Sequence, residues 1–259
     1  MKTILITGGR SGIIKSVIKK VKDDYNIYIT VHTNSELETV NKIYKNYNNI
    51  TCFKLDVTNE KDLNKLTKLK IDILICNAAV MESGSILDIP YEKVKKCFET
   101  NFFSVIKIIK KCINEDLKII VISSLASFIP IPFDGVYSSS KAALSQIMRC
   151  LKLECKLTGK KVNVTVIEPG LYKTGFNEYG FKKKYEFMDI DSFFKDKINM
   201  IKRYDNIVLK ILQKRKLNTI TKKIVKAIKA KNPKMFYRAP FMQVLFAKLY
   251  MFFSIICKW

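Results

Sequence analysis

Six short apolar runs mark the first two thirds of the chain: residues 3–7 (TILIT), 26–31 (NIYITV), 49–55 (NITCFKL), 70–76 (KIDILIC), 117–123 (LKIIVIS) and 161–167 (KVNVTVI). They are rich in Ile and Val and more often apolar throughout than alternating, as strands covered on both faces must be. The lysine-studded segments between them have helical length, and Pro90 suits the first turn of one such helix. Strands separated by helices need crossover connections, which predicts an α/β fold built on a doubly wound parallel sheet. No internal repeat or low-complexity linker divides the sequence, so residues 1–259 read as a single domain.

Ligands of such a sheet bind beyond the carboxyl ends of its strands. The first run leads into TGGRSGI, where Gly8 and Gly12 let the backbone turn tightly toward a pyrophosphate at a helix N-terminus. A plain strand-to-helix turn would look the same. The third run ends at Asp56, and the fourth at Asn77, Ala78 and Ala79, which are small enough for a flat ligand to lie against; a tight turn explains each equally well. The fifth ends in ISSLAS, followed by GVYSSSKAAL. Twelve tyrosines and 42 lysines produce Tyr-x-x-x-Lys pairs by chance, and the chain has three, beginning at Tyr91, Tyr137 and Tyr179. Only Tyr137 with Lys141 has a serine, Ser124, thirteen residues upstream at the predicted sheet edge.

Composition narrows the chemistry. The apolar share of 48% fits a globular protein. One histidine, His32, argues against zinc sites and Ser-His-Asp or Cys-His catalysis, and no metal is expected. Seven scattered cysteines without Cys-x-x-Cys, and no signal peptide, point to a reducing, cytoplasmic setting. The net charge of +24 comes from 42 lysines and only five arginines, spread along the chain. That is a compositional bias rather than a nucleic-acid patch, although the field favours anionic cofactors or membranes.

These motifs, in this order, resemble the short-chain dehydrogenase/reductase family, in its short single-domain branch, over residues 3–175. The family's Thr-Gly-x-x-x-Gly turn matches Thr7, Gly8 and Gly12. Its adenine-pocket acid resembles Asp56, and its Asn-Ala-Gly loop resembles Asn77-Ala78-Ala79. The resemblance implies a Rossmann-like fold and a catalytic tetrad of Asn101, Ser124, Tyr137 and Lys141. It also implies dinucleotide contacts from Arg10, Ser11, Ile13, His32, Thr33 and Val57, and nicotinamide contacts from Pro169, Gly170 and Thr174. Two positions depart from the pattern: Ile14 stands where the family has a third glycine, and Ala79 where it has another. Ile14 should push its helix outward or fill a gap left by small neighbours.

The implied activity is hydride transfer between NADP, or NAD, and a carbonyl or secondary alcohol. Tyr137 would be the general acid or base and Ser124 the donor to the substrate oxygen. Lowering a phenol from about 10 to about 7 takes roughly 4 kcal/mol, which one cation about 4 Å away at an effective dielectric near 20 supplies. Lys141, one helical turn along, is the expected cation, with Asn101 holding a relay water. NADP is favoured because no acid stands at the end of the second strand before Glu36, while Arg10, His32, Thr33 and Asn34 offer donors.

Residues 176–217 are expected to form a helical lid over an apolar substrate. The following IVKAIKAKNPKMFYRAP resembles the tail of hydroxysteroid- and retinol-dehydrogenase-like members: a helix, a Pro-Lys pair and a short aromatic strand. In 241–259, Gln243, Lys248, Ser254 and Lys258 fall within about 140° on a helical wheel. That polar stripe suits a membrane-surface helix, or one docked on the protein or on a second subunit of a homo-oligomer. A non-enzymatic dinucleotide sensor and a basic membrane- or nucleic-acid-binding protein on the same fold remain the alternatives.

Overall fold

The computed structural model describes residues 1–188 and 191–256. Seven parallel strands form one sheet in the order β3-β2-β1-β4-β5-β6-β7. They are β1 (Lys2–Ile6), β2 (Tyr25–Val31), β3 (Ile50–Lys54), β4 (Ile73–Cys76), β5 (Lys118–Ile122), β6 (Asn163–Pro169) and β7 (Phe236–Ala239). The first six correspond to the apolar runs, and β7 to the aromatic strand of the tail. The fourth is shorter than its run; just ahead of it the Asp72 carboxylate accepts from the Thr3 N–H (2.7 Å). The sixth continues to Pro169, where it still pairs with Ala239 of β7.

Helices cover both faces. α1 (Gly12–Val21), α2 (Asn34–Tyr44) and α9 (Asn218–Lys229) pack on one; α5 (Ser104–Cys112) and α6 (Gly135–Leu157) pack on the other, with the short α3 (Glu60–Leu63) beside α5. The strand period of two divides the core accordingly: Ile4 and Ile6 join the α1 side, and Leu5 between them joins the α5 side. Lys118, the one charge inside the fifth run, donates to the Ile228 and Ala230 carbonyls (2.6 and 2.7 Å), so a cation caps the C-terminal end of α9.

Ile14 is fully buried in the core on the α1 side. Ile14 thus adds to that core, which α1 shares with the sheet. Close approach of the turn to the sheet is made instead at Gly9, where any Cβ would lie 2.0 Å from the Ile29 Cγ2.

α4 (Tyr91–Phe98) runs into α5 through a π turn at Glu99–Phe103. α7 (Phe176–Lys183) and α8 (Ile198–Leu212) make the 176–217 segment helical, and α10 (Phe241–Ile256) follows β7. Lys258, part of the expected polar stripe, lies outside the described residues. No helix among the described residues is long and apolar enough to cross a membrane.

Candidate active site

The chain order reverses between β1 and β4, the crevice where ligands of open α/β sheets bind. Gly8 opens the turn there with φ +68°, and a Cβ on it would lie 2.9 Å from the Ala78 Cα. Only glycine meets both demands. The Thr7 hydroxyl accepts from the Asn77 and Ala78 N–H groups (3.0 and 3.1 Å), and the Asn77 amide donates to the carbonyls of Thr7 and Gly8 (3.1 and 2.9 Å). Thr7 and Asn77 therefore hold two loops together. α1 begins at Gly12 with Ser11 as N-cap residue, and the Ser11 side chain makes no capping bond. A left-handed glycine ahead of an uncapped helix start, whose first N–H groups lack intrahelical partners, fits a dinucleotide pyrophosphate. Thr174 lies across this start, its Cγ2 3.5 Å from where a Cβ on Gly12 would be. Ile13 packs at the edge of the core below.

At the end of β2, Thr33 caps α2 through the Glu36 N–H (3.2 Å). The Glu36 carboxylate then reaches back, accepting from the His32 N–H (3.0 Å) and pairing with the exposed Arg10 (3.2 Å). An acid therefore occupies the strand end that the sequence leaves without one. The His32 imidazole lies 3.8 Å from Asp56, whose Oδ1 accepts from the Thr58 N–H and hydroxyl (2.9 and 2.7 Å). Val57 is buried beside it.

Three of the four tetrad candidates converge. The Ser124 hydroxyl stands beside the Tyr137 phenol and favours its ionised form, and the Lys141 Nζ lies 5.8 Å from the Tyr137 ring centre. All three sit where β5 ends and α6 begins. Burial drives the phenol pKa up, against the lowering effect of Ser124, and Asp134 adds to the rise. Lys141 donates to the Ile122 carbonyl (3.0 Å), and burial brings its pKa down to about 8. The expected lowering of the phenol by Lys141 is therefore not present in this arrangement: the ammonium is engaged on a carbonyl, and desolvation outweighs what remains.

Asn101 lies on the π turn, fully buried. Such single-turn interruptions re-aim side chains within a helix. Its amide donates to the Val80 carbonyl (2.9 Å) and Ser140 Oγ (3.0 Å), while its Oδ1 accepts from the Val80 N–H (2.9 Å). Ser140 in turn donates to the Tyr137 carbonyl (2.7 Å). Asn101 thus reaches the tyrosine through the backbone of α6.

Pro169 ends β6, and the Gly170 N–H donates to the Ala239 carbonyl (2.8 Å). Several supporting residues carry no motif in the sequence. Ser123 bonds the Lys141 carbonyl (3.1 Å) and the Ser145 hydroxyl (2.8 Å). Ser127 and Ser145 meet the buried Glu168, which pairs with Arg238. An acid inside an otherwise apolar run, as Glu168 is in VNVTVIEP, was the one available signal.

Over Tyr137 lies an apolar cluster of Met81, Ala126 and Phe181, with Phe176, Val208 and Leu209 at its margin. The Phe176 and Tyr137 rings are 6.0 Å apart. Two surface grooves, on α9–α10 and on α8, lie away from this chemistry.

The lowered Lys141 pKa has a measurable consequence. Below about pH 8 the buried group is charged in both folded and unfolded chains. Between about 8 and about 10.5 the unfolded chain retains a proton that the folded chain has released, so stability rises with pH. Unfolding free energy should increase by about 2 kcal/mol more in the wild type than in Lys141→Met between about pH 7.5 and about pH 9.5. Urea titrations across that range check it; the difference isolates Lys141 from Lys118 and Lys152, whose pKa values burial also lowers.

Comparison with known proteins agrees with this geometry. The family model described as "short chain dehydrogenase" matches residues 2–184. The chain is 28% identical to the 3-ketodihydrosphingosine reductase of Bacteroides thetaiotaomicron, covering 95% of this chain and 90% of that protein. It is 30% identical to the uncharacterized oxidoreductase YusZ of Bacillus subtilis over 67% of this chain and 66% of that one, so it spans about two thirds of that relative's length. A short-chain dehydrogenase/reductase from Burkholderia phymatum in complex with NAD superposes with a TM-score of 0.80 at 15% identity, covering 99% of this chain and 95% of that one. A glycine turn, a serine–tyrosine–lysine cluster at the β5 edge and a matching family model over most of the chain have one common explanation: this protein is a member of the short-chain dehydrogenase/reductase family of NAD(P)-binding oxidoreductases.

Proposed function

We propose that the chain is a cytoplasmic NADP(H)-dependent oxidoreductase that interconverts a ketone and a secondary alcohol on an apolar, lipid-like small molecule. The observation that carries this reading is the Ser124–Tyr137–Lys141 cluster beneath an apolar lid. Bound nicotinamide supplies or accepts the hydride at the carbonyl carbon. Tyr137 gives its phenolic proton to the oxygen in reduction and takes it back in oxidation. Ser124 steadies the oxygen as its charge develops. Lys141 holds the ribose, and Asn101 orders the path by which Tyr137 is reprotonated.

The turn from Gly8 to Ile13, with Ser11, receives the pyrophosphate. Asp56 and Val57 receive the adenine, Asn77 and Ala78 the adjoining ribose, and Pro169, Gly170 and Thr174 the carboxamide. The apolar character of Met81, Phe176 and Phe181 over the phenol supports an apolar substrate. So does the near full-length likeness to a relative whose name specifies a sphingoid ketone.

At the adenosine ribose two charges compete. Arg10 favours the extra phosphate of NADP, and Glu36 favours the bare hydroxyls of NAD. Arg10 is the more exposed of the pair and can exchange Glu36 for a phosphate, so NADP(H) is the preferred partner. Oxidation of NADPH and NADH with a panel of ketones, from small and polar to long-chain, tests the reading. Turnover rising with apolar chain length supports it, and no turnover with any ketone ends it. In the same assay Arg10→Ala should raise KM for NADPH by about tenfold, or about 1.4 kcal/mol, and leave NADH within about twofold. Indifference of NADPH to Arg10→Ala, with NADH weakened by Glu36→Gln, would assign NAD instead.

A further inference from the structure

α10 is inside out. Its inward stripe consists of Gln243, Val244, Ala247, Met251 and Ser254, of which Ala247 is buried and the others half-buried. Gln243 accepts from the Leu171 N–H (2.8 Å) and donates to the Leu212 carbonyl (2.6 Å), which fixes this orientation. The opposite side exposes eight large apolar side chains. Phe241, Phe246 and Phe252 are 75%, 64% and 59% exposed, with Met242, Leu245, Leu249, Tyr250 and Phe253 among them. A surface of this size and continuity on a folded chain marks an interaction site.

The charge around it identifies the partner. After Asp205 the sequence contains thirteen Lys and Arg and no Asp or Glu. Lys222, Lys223 and Lys226 of α9 line a groove together with Phe241 and Val244, at the foot of the apolar surface. A second copy of the chain brought against this surface would carry the same uncompensated charge. An anionic lipid leaflet has the opposite sign and offers an apolar interior within reach of the phenylalanines. Gln243 holds the helix against the folded chain and Lys248 stands in its middle, so the helix lies on the leaflet rather than across it.

We propose that α10 and the adjoining lysines of α9 dock the protein onto anionic lipid surfaces, the apolar face entering the headgroup boundary and the lysines meeting the lipid charges. The docking does not depend on the proposed activity. Where that activity holds, docking sets the lid beside the medium in which a lipid-like substrate is dissolved, since Gln243 links α10 to the end of α8.

Cosedimentation with phosphatidylcholine vesicles, with and without about 30 mol% phosphatidylserine, tests the proposal. The wild type should bind the anionic vesicles and lose most of that binding as salt rises from about 50 to about 300 mM. The double substitution Phe246→Asp with Phe253→Asp should weaken binding at least about tenfold. Lys222→Glu with Lys223→Glu should flatten the salt dependence. These positions are exposed, so the variants should melt like the wild type by circular dichroism. Vesicle binding that survives the phenylalanine substitutions overturns the proposal. So does a wild type that ignores vesicles but runs as a dimer that those substitutions split, which would give the face to a second copy. Turnover of a small water-soluble ketone should be equal in all variants. Its absence would remove the enzymatic reading and leave the vesicle result standing.

Discussion

Tyr137→Phe is expected to reduce kcat for ketone reduction by about a thousandfold while NADPH binding stays within about twofold. The substitution deletes one oxygen from a ring whose surroundings are apolar, with Phe176 6.0 Å away and Phe181 and Met81 in the same cluster. The ring keeps its packing, so the fold should be preserved. What is lost is the hydroxyl beside Ser124 that is proposed to donate the proton. Loss of turnover with cofactor binding retained separates an enzyme from a dinucleotide sensor, for which this hydroxyl has no use. Stopped-flow turnover together with quenching of NADPH fluorescence measures both quantities. A variant retaining more than about a tenth of wild-type turnover would remove Tyr137 from the chemistry.

Lys184→Met should cost about 3 kcal/mol of folding free energy, the largest stability change expected from a single substitution in residues 176–217. The Lys184 Nζ is 3.1 Å from the Asp205 carboxylate, and both side chains are almost wholly withdrawn from water. Tyr185 donates to the same carboxylate, and the ammonium lies 4.4 Å from the centre of the Phe181 ring. Removing the cation leaves a buried anion with one neutral donor, which is far worse than removing both charges. The double substitution Lys184→Met with Asp205→Leu should therefore recover much of the loss. Urea unfolding of wild type, single and double variants gives the coupling directly. A single-variant cost below about 1 kcal/mol would mean the pair is solvated and does not fasten the chain after α7 to α8.

The sheet was legible in the sequence for one physical reason: strands buried on both faces cannot tolerate polar residues, so they appear as unbroken Ile and Val runs. The glycine turn and the Ser124–Tyr137–Lys141 spacing were legible because backbone geometry and helical periodicity act over a few residues. What stayed hidden depends on distant partners. Glu36 looked too far along the chain to act at the end of β2, yet its side chain folds back over one helical turn to the His32 N–H. The π turn at Asn101 is invisible in a segment whose composition continues smoothly from α4 to α5. The ion pairs Lys183–Glu82 and Lys184–Asp205 join positions with no shared pattern. The apolar character of α10 was readable, but not which side it shows to water, because one glutamine decides it.

That glutamine gives the protein an unusual dependence on its own tail. Gln243 fastens the loop after β6 at Leu171 and the end of the lid at Leu212 with a single side chain. A chain cut short ahead of α10 would keep all seven strands and the Ser124–Tyr137–Lys141 cluster yet lose the latch between the loop after β6 and the end of α8. Loss of α10 would therefore loosen the loop after β6 and the end of α8 together, through one amide that belongs to neither.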